Sequence, residues 1–287
     1  MSTPTPPIPT APSAPTATFK PRFGKRVLVF GEGGVGKTTL ATKFAGRTLF
    51  IDLERTLFDL FDEPPESIVP SYPESWDALL AVLKDADTLG YTNVVLDSLT
   101  SLETMMWQYI ATHCRKAKEG YGMVEFSEKP LPPLKDEKEL GGGGADSAKF
   151  AMWSRYEAAM NYLAAHGVNV VNLCHDCEKE REDAASGTDV KHEPRLNDPR
   201  SGKNSIRKRA FEIHGEVWFI RWETAQKDDT HQTKTGKRII LGQPTEERAG
   251  DFDGVMSKSR RGFSVAYLDE FDINEVLGIK PTDGGNN

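Results

Sequence analysis

The order of apolar and polar positions along the chain predicts an alternation of strands and helices. Short apolar runs typical of buried strands occur at residues 26–30, 48–54, 93–98, 168–173, 216–222, 237–241 and 263–267. Apolar residues at helical spacing occur at residues 40–45, 76–87, 98–112 and 150–166. Alternation of this kind predicts an α/β fold with a mostly parallel central sheet flanked by helices, and the last strands predict an antiparallel hairpin at its edge.

Other stretches lack this patterning. Residues 1–20 are rich in Pro, Thr, Ser and Ala, a composition that predicts an extended, mobile tail. We expect residues 21–268 to form the folded core, with long loops at 115–146 and 176–209. Residues 269–287 are expected to form a short acidic tail.

Composition limits the class of protein. The 287 residues, 38% of them hydrophobic, suffice for one large α/β domain. The net charge of -7 argues against a surface that coats nucleic acid, although it allows a local basic patch. The three cysteines cannot make a disulfide framework, and no apolar run approaches the ~20 residues that cross a bilayer. We therefore expect a soluble protein of a reducing cytoplasm, with no membrane partner.

The stretch between the first predicted strand and the first predicted helix matches the phosphate-binding motif G-x-x-x-x-G-K-[ST]. Its glycines let the backbone curl so that successive N–H groups point at a phosphate. Lys37 is expected to reach the β- and γ-phosphates, and the Thr38 hydroxyl to bind Mg²⁺, so the predicted cofactors are ATP and Mg²⁺. The residues expected to contact the nucleotide are Gly31, Glu32, Gly33, Gly34, Val35, Gly36, Lys37, Thr38 and Thr39.

Two later strands end in acidic residues. Glu54 ends the strand at 48–54, where an unpaired buried charge would be costly without a function. It is a candidate to polarise or orient the water that attacks the γ-phosphate, and the alternative is a helix-start acid without chemistry. Asp97 ends the strand at 93–98 and is expected to hold Mg²⁺, usually through a water.

The strand at 168–173 ends in Cys174-His175-Asp176-Cys177. His175 is a polar group at a strand end facing the predicted phosphates, so it is a candidate sensor of the γ-phosphate. A histidine with only structural hydrogen bonds is one alternative. A zinc site with the distant His192 is another, although the second pair of a structural site is missing.

Cations concentrate in the second half of the predicted loop at 176–209. Together with Gly, Asn and Ser they predict a flexible basic loop that contacts a nucleic-acid backbone without reading its sequence. The alternative is a solvated surface loop, because runs of charged residues usually form such loops. The candidate DNA-binding residues are Arg200, Lys203, Arg207, Lys208 and Arg209.

A further cation cluster precedes the last strand. Lys258 and Arg260 lie between the runs at 237–241 and 263–267. Cations on a late hairpin are candidates for a finger that reaches the γ-phosphate of a neighbouring subunit and stabilises the transition state.

The order of these parts resembles the RecA superfamily. The run Phe50-Ile51-Asp52-Leu53-Glu54 matches the strand with the catalytic glutamate, and Val94-Val95-Leu96-Asp97-Ser98 matches the Mg²⁺ strand. Lys258-Ser259-Arg260 is similar to the Lys-x-Arg trans finger of the DnaB and KaiC branches. Two departures are His175, where those families often carry Gln, and a first loop that is not basic.

The chain also resembles the bacteriophage AAA-domain nucleotide-binding proteins, which are RecA-like ATPases linked to single-strand annealing. That resemblance implies an ATPase with a RecA-like P-loop core, stimulated by oligomerisation and DNA, that acts on single-stranded DNA in phage-type recombination. It implies a homo-oligomeric ring or filament, single-strand-binding or other recombination proteins as partners, and the host cytoplasm if the chain is phage-encoded. The competing class is a non-enzymatic nucleotide switch or assembly module. The sequence leaves open whether the end activity is annealing, strand exchange or loading.

Overall fold

The computed structural model describes residues 23–183, 187–228, 231–244 and 255–279. The predicted tail at residues 1–20 lies outside them. In chain order the elements are β1 (Arg26–Gly31), α1 (Lys37–Ala41), β2 (Thr48–Asp52), α2 (Leu57–Leu60), β3 (Ile68–Ser71), α3 (Trp76–Asp85), β4 (Asn93–Asp97), α4 (Leu99–His113), β5 (Cys114–Lys116), β6 (Val124–Phe126), α5 (Gly144–Ala165), β7 (Asn169–Asp183), β8 (Gly187–Pro194), α6 (Ile206–Ile213), β9 (Glu216–Asp228), β10 (His231–Leu241), β11 (Lys258–Ser259), β12 (Val265–Tyr267) and α7 (Ile273–Leu277).

One sheet organises the described part of the chain. Its strand order is β12-β10-β9-β1-β7-β4-β2-β3, with β8 paired to β7 and β11 paired to β9. From β3 through β9 every neighbouring pair is parallel, whereas β9, β10 and β12 pair in antiparallel fashion. The predicted fold class, a mostly parallel sheet flanked by helices with an antiparallel hairpin towards one edge, is confirmed.

The two faces of the sheet bury different side chains. Along β1, Leu28 and Phe30 belong to a core that includes residues of α3, α4, α5 and α6. Val27 and Val29 belong to the other core, with residues of α1 and α7. This alternation has the period of two expected of a strand, and both faces are covered as parallel sheets require. Among the described residues, no helix combines the length and apolarity needed to span a membrane.

The segment predicted as a loop at 115–146 is partly regular. Strands β5 and β6 form a small antiparallel pair, a 3₁₀ turn follows at Glu137–Leu140, and α5 already begins at Gly144. Three-residue strands are too short to leave a periodic signal in the sequence, so the pattern did not indicate them.

The prediction of a flexible loop at 176–209 is wrong. Strand β7 continues past the sheet to Asp183 and forms an antiparallel hairpin with β8, and α6 begins at Ile206. Ion pairs accompany the hairpin's backbone hydrogen bonds, with Glu193 paired to Lys179 and Lys191. The residues of β8 are mostly polar, so no apolar alternation marks the hairpin in the sequence.

The predicted acidic tail is wrong for residues 269–279. Ile273 and Leu277 of α7 are buried in the core beside α1. Asn274 accepts a hydrogen bond from the Ala45 N–H at 2.8 Å and donates one to the Lys43 carbonyl at 2.9 Å. The segment therefore packs against the helix that follows the phosphate-binding motif, and residues 280–287 lie outside the described chain.

Candidate functional site

The phosphate-binding motif lies at the carboxyl end of the central strand β1. Gly31 must be glycine because a Cβ there would lie 2.2 Å from the Ile220 carbonyl oxygen of neighbouring β9. Gly36 has φ +101, a left-handed conformation that L side chains rarely adopt. Both glycines shape the turn that joins β1 to α1.

Lys37 is folded back into this loop. Its Nζ donates hydrogen bonds to the carbonyls of Gly31 at 2.9 Å and Glu32 at 2.7 Å. Burial lowers the pKa of the ammonium, and the nearby Asp97 carboxylate opposes that change. The side chain is buried, so its charge acts inside the loop, where an electrostatic interaction with a phosphate is strong.

The Thr38 hydroxyl donates a hydrogen bond to Asp97 Oδ2 at 2.7 Å, and the Thr56 hydroxyl donates to the same oxygen at 3.3 Å. The pKa of Asp97 is raised to about 6, chiefly by burial and also by the Glu54 and Asp52 carboxylates, against the lowering effect of the Thr38 hydrogen bond. A hydroxyl and a carboxylate oxygen are the donors that Mg²⁺ prefers, and a cation there would offset the cost of the buried charge. Thr38 and Asp97 therefore fit a magnesium site.

Asp52 fixes the turn after β2. Its carboxylate accepts hydrogen bonds from the backbone N–H groups of Glu54 at 3.1 Å, Thr56 at 3.2 Å and Leu57 at 2.9 Å. Sequence reasoning missed this role, although an Asp that begins a turn is a signal for such bonds. Asp52 thus presents both Glu54 and Thr56 to the site.

Glu54 is held by side chains from two other elements. The hydroxyls of Ser98 and Ser101 donate to its Oε1, the latter at 2.8 Å. His175 Nε2 lies 3.1 and 3.2 Å from the two carboxylate oxygens. The pKa of Glu54 is lowered to about 2, chiefly by the His175 hydrogen bond and then by the hydrogen bonds from the two serines. Burial acts in the opposite direction.

His175 connects this carboxylate to the segment that follows β8. It lies opposite Gly31 in the pairing of β7 with β1. Its backbone N–H donates to Thr100 Oγ1 at 3.2 Å, and its carbonyl accepts from the Arg195 N–H at 2.8 Å. The pairing of the strands places the imidazole at the phosphate edge of the sheet, as its position after an apolar strand predicts.

The neighbouring cysteines do not join His175 in a cluster. Cys174 is buried with its sulfur 3.5 Å from Thr100 Oγ1, and the Cys177 sulfur lies 4.0 Å from the Pro194 carbonyl oxygen. Within the part of the chain that the structure describes, no group of three or more His, Cys, Asp and Glu side chains is placed to hold a metal ion.

Lys258 and Arg260 lie at the opposite edge of the sheet from the phosphate loop. Strand β11 pairs with β9 at Glu216 and Val217, whereas Gly31 pairs with β9 at Ile220. The Lys258 ammonium donates a hydrogen bond to the Phe211 backbone carbonyl and lies 4.5 Å from the centre of the Phe211 ring. The structure therefore does not bring these cations to the phosphate loop of their own chain.

The candidate DNA-binding cations divide into two groups. Arg207 is buried and paired with Glu193 and Asp198, so the prediction that it is free for DNA is wrong. Arg209 is also engaged, because both oxygens of Glu157 accept its hydrogen bonds, at 2.9 and 2.5 Å. Local charge counts miss such pairing because the partners come from other elements. The cations that remain exposed are Arg200, Lys203 and Lys208.

An aromatic residue that the sequence did not single out stands beside two of these exposed cations. Tyr121, 91% exposed, borders a surface cavity of about 590 Å³ together with Arg200 and Lys203. The cavity joins the segment between β5 and β6 to the segment before α6. The sequence gives no sign that Tyr121 lies beside Arg200 and Lys203, because Tyr121 is a single aromatic residue in a polar stretch.

The loop at Gly31–Lys37, with the Thr38 and Asp97 pair beside it, defines a P-loop nucleotide-binding domain. Residues 24–131 match the family model described as AAA domain.

Among solved structures, the KaiC-like protein of the hyperthermophilic archaeon Pyrococcus horikoshii OT3 is similar to this chain at 15% identity and a TM-score of 0.40. The match covers 78% of this chain and 81% of that one. A comparison with curated proteins finds no match.

The low pKa of Glu54 predicts a pH-dependent contribution to stability. The pKa is about 2 in the folded protein against 4.5 for an exposed glutamate. The ionised carboxylate therefore stabilises the fold fully above pH 4.5, and this contribution is lost as the pH falls from 4.5 towards 2. We expect Glu54→Gln to reduce the free energy of unfolding by about 1 to 2 kcal/mol at pH 7, and by less below pH 4.5.

Urea unfolding between pH 7 and pH 3.5 measures this difference. Glu74→Gln is the control, since that side chain is 83% exposed and its effect on stability should not change with pH. An effect of Glu54→Gln that stays constant over the whole range would contradict the role given to the Ser98, Ser101 and His175 contacts.

Proposed function

We propose that this protein binds ATP with Mg²⁺ and hydrolyses it. The observation that carries the proposal is the position of Glu54. Its carboxylate is fixed by Ser98, the residue next to the magnesium candidate Asp97, and by His175, the strand partner of Gly31. A carboxylate oriented at the end of a P-loop sheet is what water-dependent phosphoryl transfer requires.

The residues of the site have separate tasks. The backbone amides of the loop and Lys37 position and neutralise the phosphates, which is most of what phosphoryl transfer asks of a protein. Thr38 and Asp97 would hold the magnesium ion, which supplies charge neutralisation of the β- and γ-phosphates when bound. Lys37, Thr38 and Asp97 are already held by the contacts described above.

Glu54 orients the attacking water by accepting its hydrogen bond. With a pKa of about 2 the carboxylate stays ionised throughout the physiological range but is a weak proton acceptor. Early proton removal is not required in a loose transition state, so orientation is the role that agrees with this pKa. His175 shares the carboxylate and is bound through its carbonyl to Arg195, which supports its role as a sensor of the γ-phosphate.

Replacing Glu54 by Gln separates an ATPase from a non-enzymatic nucleotide switch. We expect Glu54→Gln to bind MgATP with near wild-type affinity, because the phosphate loop is untouched, and to lose at least about a hundredfold in turnover. Phosphate release and nucleotide binding are measured on the same preparations, with Glu74→Gln as the control. Unchanged turnover in Glu54→Gln would refute the role of this residue.

A second proposal concerns the cations at the far edge of the sheet. Lys258 and Arg260 cannot serve the phosphate loop of their own chain without crossing the sheet, which supports action on a neighbouring subunit in a ring or filament. The order of motifs shared with the RecA superfamily supports the same arrangement.

Complementation between two inactive variants tests this action in trans. We expect the double variant Lys258→Ala, Arg260→Ala to lose turnover by about a hundredfold or more, as loss of a trans cation does. Mixed with Glu54→Gln, it should regain activity, because one kind of interface then combines an intact Glu54 with an intact finger. As a control, each variant should unfold at the same temperature as the wild type. If no mixing ratio restores turnover, Lys258 and Arg260 do not act on a neighbouring subunit.

Single-stranded DNA is the proposed partner, bound at the cavity beside Tyr121. An exposed aromatic ring can stack on a base, and the adjacent Arg200 and Lys203 can contact phosphates, which together bind single strands without sequence preference. The backbone bond between His175 and Arg195 supports a connection between this surface and the nucleotide site. A role in phage-type recombination or annealing, with single-strand-binding proteins as partners, rests on the resemblance noted above.

Charge removal at this cavity tests the DNA proposal. We expect Arg200→Ala with Lys203→Ala to weaken binding to a single-stranded oligonucleotide and to reduce the slope of log affinity against log salt by about 1 to 2. Tyr121→Ala should weaken binding with the salt slope unchanged, because stacking releases no counterions. Lys84→Ala, at an exposed site on α3, is the control. Equal affinity in all variants would mean that the cavity is not a DNA site.

A further inference from the structure

A second cation stands beside the phosphate loop, and no sequence motif marks it. Arg238 lies on β10, opposite Trp222 of β9. It borders a cleft of about 410 Å³ together with Gly34, Gly36, Lys37, Thr38 and Thr39. An antiparallel strand, outside the part of the sheet that carries the motif, therefore contributes a guanidinium to the same cleft.

The guanidinium is close to the backbone of the loop. A Cβ placed on Gly36 would lie 2.8 Å from Arg238 Nη1 and 2.9 Å from Leu268 Cδ2. Gly36 is the residue before the motif lysine, where the loop's N–H groups are arranged to surround a phosphate. The space that the missing side chain leaves at Gly36 is thus bordered by Nη1 of Arg238.

Contacts on the other side of the guanidinium hold it in this direction. Arg238 Nη2 donates to Asp269 Oδ1 at 2.7 Å, and the guanidinium carbon lies 5.9 Å from the centre of the Trp222 ring. The strand itself is anchored because the Arg238 carbonyl accepts the Leu268 N–H at 2.9 Å. Asp269 is 73% exposed, so its ion pair with Arg238 is weak and leaves the cation able to bind a further anion.

We propose that Arg238 is a phosphate-binding residue of the nucleotide site, acting from its own chain on the polyphosphate of ATP or ADP. This inference rests on the proposed nucleotide binding and adds a residue to it. Lys37 acts from inside the loop as a compact charge, whereas Arg238 approaches Gly36 from the cleft and presents a planar fork suited to phosphate oxygens.

The acids around the cleft bear on this assignment. Asp59 lines the same cleft, Asp269 pairs with Arg238, and Glu32 lies 3.5 Å from Lys234 at the exposed surface. A polyphosphate placed among these carboxylates needs cations in addition to Lys37. Arg238 is the cation among the described residues that borders the cleft together with Lys37.

The test is nucleotide affinity of the full chain, measured by calorimetry with MgATP and MgADP. We expect Arg238→Gln to weaken both about tenfold or more, the usual size of one lost hydrogen-bonded charge pair. Inorganic tripolyphosphate, used as a competitor, should lose potency to the same degree. Lys237→Gln removes the neighbouring cation, which lies over the Tyr267 ring instead, and should leave all three affinities unchanged.

Two outcomes would overturn the inference. One is equal affinity of wild type and Arg238→Gln for every ligand. The other is a loss with ATP and ADP but none with tripolyphosphate, which would place Arg238 on the base or ribose. If Arg238→Gln unfolds at a lower temperature than Lys237→Gln, the same measurements are made on Arg238→Lys. We expect that variant to lose two- to threefold in affinity for MgATP, MgADP and tripolyphosphate alike. Absence of MgATP binding by the wild type would instead refute the proposed function.

Discussion

Three carboxylates at one edge of the sheet are the constraint on which the site depends. Asp52, Glu54 and Asp97 converge there because β2 and β4 are parallel and in register. Asp52 is satisfied by backbone N–H groups and Glu54 by two hydroxyls and an imidazole. Among the described residues, the Asp97 carboxylate accepts hydrogen bonds from two hydroxyls, those of Thr38 and Thr56, and its pKa is raised to about 6. The remaining electrostatic cost is lowest when a cation binds beside Asp97, which is why the acids and the phosphate loop belong to one site.

The sheet also separates functions in space. Its carboxyl edge carries the phosphate loop, Glu54, Asp97 and His175, whereas Lys258 lies towards the other end of β9. His175 bridges the nucleotide site and the segment that leads to Arg200 and Lys203 through one backbone hydrogen bond with Arg195. The candidate nucleotide site and the candidate finger thus lie at opposite ends of the strands, and the proposed DNA surface lies outside the sheet.

Local patterns were sufficient for the fold class and for selecting the polar residues that meet at the carboxyl ends of the parallel strands. A parallel sheet brings strand ends together by its own geometry, so Glu54, Asp97 and His175 were selected from apolar runs that end in polar residues. The phosphate-binding motif supplied Lys37 and Thr38. Patterns failed where regular structure has no apolar face, as in the hairpin of β7 and β8, and where strands are only three residues long, as in β5 and β6. The segment at 269–279 was misjudged because the prediction followed its four acids, although its five apolar residues pack in the core beside α1.

The sequence alone determined a P-loop, the acids that follow it and an α/β architecture, because these depend on neighbours in the chain and on strand periodicity. Only the tertiary structure decided which charges are free. It paired Arg207 with Glu193 and Arg209 with Glu157, fixed Glu54 with Ser98, Ser101 and His175, and placed Arg238 beside Gly36. The physical reason is that burial and ion pairing are set by residues far apart in the chain, whose approach no local pattern encodes.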